Sequence, residues 1–213
     1  MFLKNTIGII GLGLTGKACV RFLLKRGVPC CVADTRKNPP GLAAFQRDFP
    51  NVPLSLGVCP PDFFEKSAEV ILSPGLAKTS SLPQSVVACG AKLISEIELF
   101  SRYAQKPVLA ITGSNGKTTV TSLCAAMAKK AGRSVAVGGN IGTPALDLLD
   151  QDGVDLYVLE LSSFQLELTF SLKPAVAVLL NVSPDHMDRY DSFDDYAQAK
   201  NRIFIGCQVG VAP

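Results

Sequence analysis

The 213-residue sequence carries a single histidine, no CxxC pair, no block of like charge and no apolar stretch long enough to cross a bilayer. Each absence removes a class of protein. Seven cysteines (Cys19, Cys30, Cys31, Cys59, Cys89, Cys124, Cys207) are an odd number without CxxC spacing, so neither a disulfide framework nor a zinc site is indicated. Most of them are expected to be small buried apolar residues. Lys and Arg number 21 against 18 Asp and Glu, and no basic cluster interleaves with aromatics, so no nucleic acid is expected as a partner. The apolar start, Ile7 to Leu14, is too short and too broken by glycine for a membrane span, and no charged lead or small-residue cleavage site makes it a signal peptide. A cytoplasmic protein without membrane insertion is expected. The length suits two domains of ordinary size, each with its own core.

What is present is organised around Val108 to Thr121, VLAITGSNGKTTVT. Val108-Leu109-Ala110-Ile111 reads as a buried parallel strand, Thr112 to Gly116 as a glycine-containing loop, and Lys117-Thr118-Thr119 as the opening of a helix. Such a loop is a phosphate cradle: backbone N–H groups approach the phosphate oxygens and the helix N-terminus adds a favourable dipole. Lys117 brings a mobile positive charge, and the Thr118 hydroxyl stands where a Mg²⁺ ligand is needed. The common P-loop pattern has a glycine five residues before Gly116, where this chain has Ile111. The loop is therefore shorter than usual and points to a distinct class of P-loop protein.

Upstream, a strand at Thr6 to Ile10 runs into Gly11-Leu12-Gly13-Leu14-Thr15-Gly16, then a helix through Leu24 and a strand from Pro29 to Ala33 ending at Asp34. This is G-x-G-x-x-G in its required context, with an acid about 20 residues on to take a ribose hydroxyl, so a nucleotide is the expected ligand. Asp34-Thr35-Arg36 could hold ribose, base or phosphate. Pro60-Pro61 punctuates the chain before a strand at Val70 to Leu72. That strand ends at Ser73-Pro74-Gly75, where Gly75 is either a point of close backbone approach or an ordinary turn glycine. A helix near Leu82 to Ala88, a strand at Lys92 to Ile94 and a helix from Ser95 follow, and the domain boundary is placed near Ile94. The first domain, residues 1–94, is too small for a full double Rossmann fold, which favours a mononucleotide. The fold class is α/β: a Rossmann-like parallel sheet domain followed, over residues 95–213, by a partial P-loop ATPase-type α/β domain.

In that second half, a strand at Ser134 to Val137 delivers Gly138-Gly139-Asn140-Ile141-Gly142-Thr143-Pro144, and a buried strand at Leu156 to Leu159 ends in Glu160. An acid closing an apolar strand beside a P-loop strand is where NTPases keep a Mg²⁺ or water-orienting carboxylate, and burying it without a cation is costly. Ser162 to Glu167 is polar enough to line a cleft. The strand from Ala175 to Leu180 leads to Asn181-Val182-Ser183-Pro184-Asp185-His186, and His186 at that carboxyl edge is a candidate for metal or phosphate contact. Ser192 to Asp195 reads as a capping box opening a helix whose apolar stripe is Tyr196, Ile203 and Phe204. Lys200 falls on that stripe, where it either snorkels outward or loses its charge. A neutral amine there can form a carbamate that binds Mg²⁺; spacing alone does not choose between the two.

Taken together, GLGLTG (Gly11 to Gly16), DTR (Asp34 to Arg36), SPG (Ser73 to Gly75), TGSNGKTT (Thr112 to Thr119), GGNIGTP (Gly138 to Pro144), ELSSFQLE (Glu160 to Glu167) and NVSPDHMDRY (Asn181 to Tyr190) resemble the Mur ligase family, and within it the member that adds D-glutamate. The resemblance implies a step of peptidoglycan synthesis in which ATP and UDP-N-acetylmuramoyl-L-alanine give an acyl phosphate that the amine of D-glutamate attacks. It implies that Leu14, Thr15, Asp34, Thr35, Arg36 and Gly75 bind the uridine nucleotide. By the same token Asn140, Ser162, Gln165 and His186 hold the pyrophosphate and muramoyl part. Gly113, Ser114, Asn115, Gly116, Lys117, Thr118 and Thr119 would carry the phosphates of ATP. Thr118 or Thr119 with Glu160 would hold one Mg²⁺, and His186 with a carbamylated Lys200 a second. Lys117, Glu160, His186 and Lys200 form the implied catalytic set, and a monomer is the expected state. The family has three domains, so the resemblance also implies a piece of a longer chain, one that binds UDP-sugar weakly and ligates nothing by itself. Two other readings stand beside it: an NAD(P)-dependent oxidoreductase built on the first glycine motif, which leaves TGSNGKTT without a purpose, and a non-catalytic nucleotide-binding module.

Overall fold

The computed structural model describes residues 6–60 and 62–213; Pro61 of the Pro60-Pro61 punctuation and residues 1–5 of the first domain lie outside the described residues. Two units make up the chain, Met1–Glu96 and Ile97–Pro213, so the division falls at the start of a helix just past Ile94.

In the first unit the strands are β1 (Thr6–Ile10), β2 (Cys30–Asp34), β3 (Leu54–Leu56), β4 (Ser67–Leu72) and β5 (Lys92–Ile94). They form one parallel sheet in the order β3-β2-β1-β4-β5. The helices α1 (Leu14–Lys25), α2 (Leu42–Asp48) and α3 (Ser81–Ala88) connect them. The strand order reverses beside β1, so the carboxyl ends of β1 and β4 flank the crevice where open α/β sheets take their ligands. Near-continuous apolar sequence, with β2 buried along its whole length, is what a parallel sheet between helices demands.

The second unit opens with α4 (Glu96–Tyr103) and β6 (Val108–Thr112), then α5 (Lys117–Lys130), β7 (Val135–Gly139), α6 (Ala145–Leu148), β8 (Leu156–Glu160), α7 (Ser163–Glu167), β9 (Val176–Leu179), α8 (Phe193–Asn201), a 3₁₀ turn at Arg202–Phe204 and β10 (Val209–Val211). Its parallel sheet runs β10-β9-β6-β8-β7. The phosphate-loop strand β6 thus lies in the centre, with the Glu160 strand on one side and the Asn181 strand on the other. Ile111 and Val158 from the sheet and Ala125 from α5 are buried together, with Val120, Val137 and Val178 against them. Burying each large aliphatic side chain contributes on the order of 2 kcal/mol, and this contact fixes the angle at which α5 leaves the loop.

Two short helices went unread in the sequence. α6 and α7 have four and five residues, too few for the 3.6-residue period to emerge. The cysteines depart from expectation: Cys19, Cys30 and Cys31 are buried, whereas Cys59, Cys124 and Cys207 are half-buried and Cys89 is exposed. Burial pushes the Cys30 and Cys31 thiols up to about 11, so these two are inert packing groups.

Candidate active site

The loop between β6 and α5 is shaped by Gly116, whose φ of 80° lies in the left-handed region where a side chain would be strained. From there the first turn of α5 presents backbone N–H groups that have no partner inside the helix. Lys117 folds back over the loop, donating from Nζ to the carbonyl oxygens of Gly113 at 2.8 Å and Ser114 at 3.0 Å. Lys200, reaching in from α8, donates to the same Gly113 oxygen at 2.9 Å. Two ammonium groups therefore share one acceptor.

Lys200 does not snorkel; it is 2% exposed. Its Nζ lies 4.7 Å from the centre of the Tyr196 ring, one helical turn back. Burial pushes its ammonium down to about 8, the charge of Lys117 pushes the same way, and Asp185 opposes them. A substantial neutral fraction near pH 8 follows.

Across the loop mouth, Glu160 is 3% exposed at the end of β8. Thr118 Oγ1 donates to its Oε2 at 2.8 Å, and Asn140 Nδ2 donates to its Oε1 at 2.8 Å. The register of β6 on β8 pairs Ile111 with Glu160 and so puts the acid level with the start of the loop. Thr118 and Thr119 are both exposed residues at the start of α5. Both hydrogen bonds to Glu160 come from uncharged groups, leaving its charge without an ion-pair partner among the described residues.

Other predicted residues turn out to be occupied with one another. Ser162 caps α7: its Oγ accepts from the Gln165 N–H at 3.3 Å, and Gln165 Oε1 accepts from the Ser162 N–H at 2.9 Å. Ser-x-x-Gln is a capping-box pattern, and it was the available signal for this helix. Ser114 Oγ is held by Ser183 and Tyr196. His186 is the one non-glycine residue with positive φ, 57°, among the described residues, and it lies beyond the β9 edge with its side chain half exposed. Its ring centre is 5.0 Å from that of Phe164, which also stacks on Tyr190 at 5.9 Å and carries the Arg189 guanidinium at 3.7 Å. Phe164 is thus the hub of this loop, a role hidden in the sequence because its contacts come from more than 20 residues downstream. Hydrogen bonds bring Lys117, Lys200 and the loop together, and separately Thr118, Glu160 and Asn140; none joins His186 to Lys200.

In the first unit the glycine turn is built as predicted. A Cβ on Gly16 would strike the carbonyl oxygen of Gly11, so only glycine lets α1 sit this close to the strand end. Asp34 is 3% exposed and already engaged: Oδ2 accepts from the Leu12 N–H at 2.8 Å, and Arg36 forks onto both oxygens at 2.9 and 2.7 Å. Burial pushes this carboxyl up, but the Arg36 bonds and the backbone N–H groups of Leu12 and Arg36 override it and hold it at about 2. Leu14, Thr35, Arg36 and Gly75 are exposed and Thr15 is half-buried. Among the described residues nothing lies within 4 Å of a Cβ added to Gly75, so none of them requires glycine there.

The comparisons with known proteins follow the same division. Residues 5–95 match the description "Mur ligase MurD-like, N-terminal domain" and residues 111–212 match "Mur ligase middle domain". The UDP-N-acetylmuramoylalanine--D-glutamate ligase of Pseudomonas syringae pv. tomato is 56% identical over 200 residues, covering 94% of this chain and 44% of that protein. The protein of the same name from Nitrosococcus oceani is 51% identical over 93% of this chain and 44% of its own length. The chain therefore spans less than half the length of the curated relatives it matches. Among solved structures, the UDP-N-acetylmuramate:L-alanyl-gamma-D-glutamyl-meso-diaminopimelate ligase of Neisseria meningitides aligns at TM-score 0.62 with 17% identity, over 97% of this chain and 71% of that one. The UDP-N-acetylmuramate-alanine ligase MurC of Thermotoga maritima aligns at 0.57 with 21% identity, over 97% of this chain and 48% of that one. The two structures speak to the fold, and the sequence matches run through both units in order: the chain belongs to the Mur ligase family.

Proposed function

We propose that this chain carries the uridine-nucleotide domain and the phosphate-loop part of a cytoplasmic, monomeric ligase that joins D-glutamate to UDP-N-acetylmuramoyl-L-alanine with ATP. The observation that carries the reading is Glu160, buried at the loop mouth between Thr118 and Asn140 with no ion-pair partner among the described residues. Residues 1–94 would take the uridine nucleotide through Leu14, Thr15, Asp34, Thr35, Arg36 and Gly75. Asn140, Ser162, Gln165 and His186 would meet its pyrophosphate and muramoyl part.

The donor set fits Mg²⁺, which takes few protein oxygens and completes its shell with phosphates and water. No cluster of three or more His, Cys, Asp or Glu exists among the described residues, so a cage made of protein alone is not available. Thr118 and Glu160 would hold one ion; His186 and a carbamylated Lys200 would hold a second, the carbamate drawing on the neutral amine that burial favours. When bound, Mg²⁺ supplies neutralisation of phosphate charge. The chain's own part is electrostatic preorganisation. Lys117 and the α5 N-terminus would hold the β- and γ-phosphates, so that two anions, a carboxylate and the γ-phosphoryl group, could approach. The carboxylate oxygen would attack the γ-phosphorus as ADP leaves, and the D-glutamate amine would then displace phosphate from the acyl carbon, losing a proton as the amide forms.

Calorimetric titration of this chain with Mg·ADP, with UDP-N-acetylmuramoyl-L-alanine and with NADH tests the reading. Binding of the first two, with Mg·ADP lost in Glu160→Gln, is expected. Binding of NADH in place of the uridine nucleotide would overturn it.

A further inference from the structure

The centre of the phosphate loop is hydrogen-bonded to the chain that leaves β9. Ser114 donates its backbone N–H to the Asn181 carbonyl at 3.0 Å. Asn115 donates its backbone N–H to Asn181 Oδ1 at 2.9 Å, and Asn181 Nδ2 returns a bond to the Asn115 carbonyl at 3.0 Å. Ser114 Oγ is held by the backbone of Ser183, as donor to its carbonyl and acceptor from its N–H at 3.0 Å each, and meets Tyr196 Oη at 2.9 Å. The loop is thus buttoned, residue for residue, onto the chain leaving β9. Backbone N–H groups spent in this way are not phosphate donors, so anion binding falls to the residues from Gly116 onward, whose direction depends on how the buttoned half is held.

We propose that Asn181 is a positioning residue for nucleotide binding: its side-chain amide, bridging both backbone polar groups of Asn115, preorganises the loop so that the N-terminus of α5 meets the phosphates without rearrangement. The idea rests on the reading of this loop as the site of a nucleotide's phosphates. A side chain that reads N–H and C=O of one residue at once mimics a strand pairing, here beyond the end of the β6–β9 ladder, whose last pair is Thr112 and Leu179. A preformed loop spares the ordering cost that a slack one incurs on binding. Asn181 itself touches no reacting atom.

Amide hydrogen exchange and Mg·ADP calorimetry on the 213-residue chain test this together. In Asn181→Ala the Asn115 amide is expected to exchange at least about tenfold faster, and Mg·ADP to bind about tenfold more weakly, as the loss of two hydrogen bonds would give. The amides of Val108 to Thr112 and that of Ser114, which keeps the main-chain carbonyl of residue 181, stay protected. Ser183→Ala, which keeps the backbone contacts to Ser114 and loses only the 3.3 Å bond from Asn115 Nδ2 to the Ser183 hydroxyl, should bind Mg·ADP within about threefold of the parent. Unchanged Asn115 exchange in Asn181→Ala, or unchanged Mg·ADP affinity despite faster exchange, overturns the proposal. Should the unmodified chain bind no Mg·ADP, the nucleotide reading of the loop fails, and the exchange of Asn115 alone then decides whether Asn181 holds it.

Discussion

Thr118 Oγ1 and Glu160 Oε2 meet at 2.8 Å although 42 residues separate them, because β6 and β8 lie side by side in a register that aligns Ile111 with Glu160. The bond aims the acid at the loop mouth. Thr118→Val removes a donor to a buried carboxylate and one of the oxygens proposed for Mg²⁺. Its affinity for Mg·ADP should fall by about tenfold or more, a loss of roughly 1.5–3 kcal/mol for a bond to a charged group. Binding of ADP in EDTA should change little. Parallel titrations with and without Mg²⁺ check this, and an equal loss in both would speak against a metal role for Thr118.

Lys200 makes a stability prediction with an unusual sign. Its ammonium sits at about 8 when folded, pushed down by burial and by Lys117, against an ordinary value of 10.5. Between those two values the unfolded chain holds a proton that the folded chain has lost, so this group's contribution to stability rises as the pH climbs from about 8 toward 10.5. Below pH 8 the buried charge is a penalty. Lys200→Met should therefore be more stable than the parent at pH 7, by roughly 2 kcal/mol, with the gap closing at pH 10. Urea unfolding at both pH values measures it.

Asp34 is shifted in the same direction, but a lowered value favours the charged form of a carboxyl, so here the shift stabilises the fold at neutral pH. A carboxyl held at about 2, against an ordinary 3.8, stabilises the fold above its unfolded value, and that stability is lost as the pH falls through about 2. Its size is on the order of 2 kcal/mol, reduced by the solvent around Arg36. In Asp34→Asn the slope of stability between pH 4 and 2 should flatten, and the Leu12 amide should exchange faster. Uridine-nucleotide affinity should fall as well, since Asp34 holds the glycine turn through the Leu12 N–H.

What could be read in advance, and what could not, follows from the range of each signal. The apolar runs of β1, β6 and β8 lead directly into a glycine turn or an acid, so these strands and their ligand-side ends were legible locally, and with them Gly16, Lys117 and Glu160. The 3.6-residue stripe of α8 exposed the anomaly of Lys200. Partners were not legible: that Asn140 shares Glu160 with Thr118, that Asn181 buttons Ser114 and Asn115, and that Phe164 gathers His186, Arg189 and Tyr190 are consequences of sheet order. Ser162 and Gln165 carried a readable capping box, masked by their place in a polar segment that suggested a cleft.

α7 poses the last question, since five residues cannot hold a helix by propensity. Tertiary bonds hold it instead. Arg202 caps its end, donating to the Leu166 carbonyl and to that of Thr169 at 2.8 Å each. Glu98, 1% exposed on α4, collects the N–H groups of Phe170 and Ser171 at 2.7 Å each, the Ser171 hydroxyl at 2.7 Å and Arg102 at 3.0 Å. Burial raises this carboxyl, but the Phe170 and Ser171 donors outweigh it and set it below the ordinary carboxylate range. Glu98→Gln keeps the shape and discards the charge that makes these bonds strong, leaving half-buried donors poorly matched. A loss of about 3 kcal/mol is expected, with faster exchange at Phe170 and Ser171. Arg102→Met should cost under about 1 kcal/mol, because its bond to Glu98 is the longest of the four and its side chain is 31% exposed. Because α7 carries Ser162, Phe164 and Gln165 toward the His186 loop, the Glu98 variant should also lose uridine-sugar affinity while the Arg102 variant retains it. Equal losses in the two would mean that the ion pair, and not the backbone capture, holds the helix.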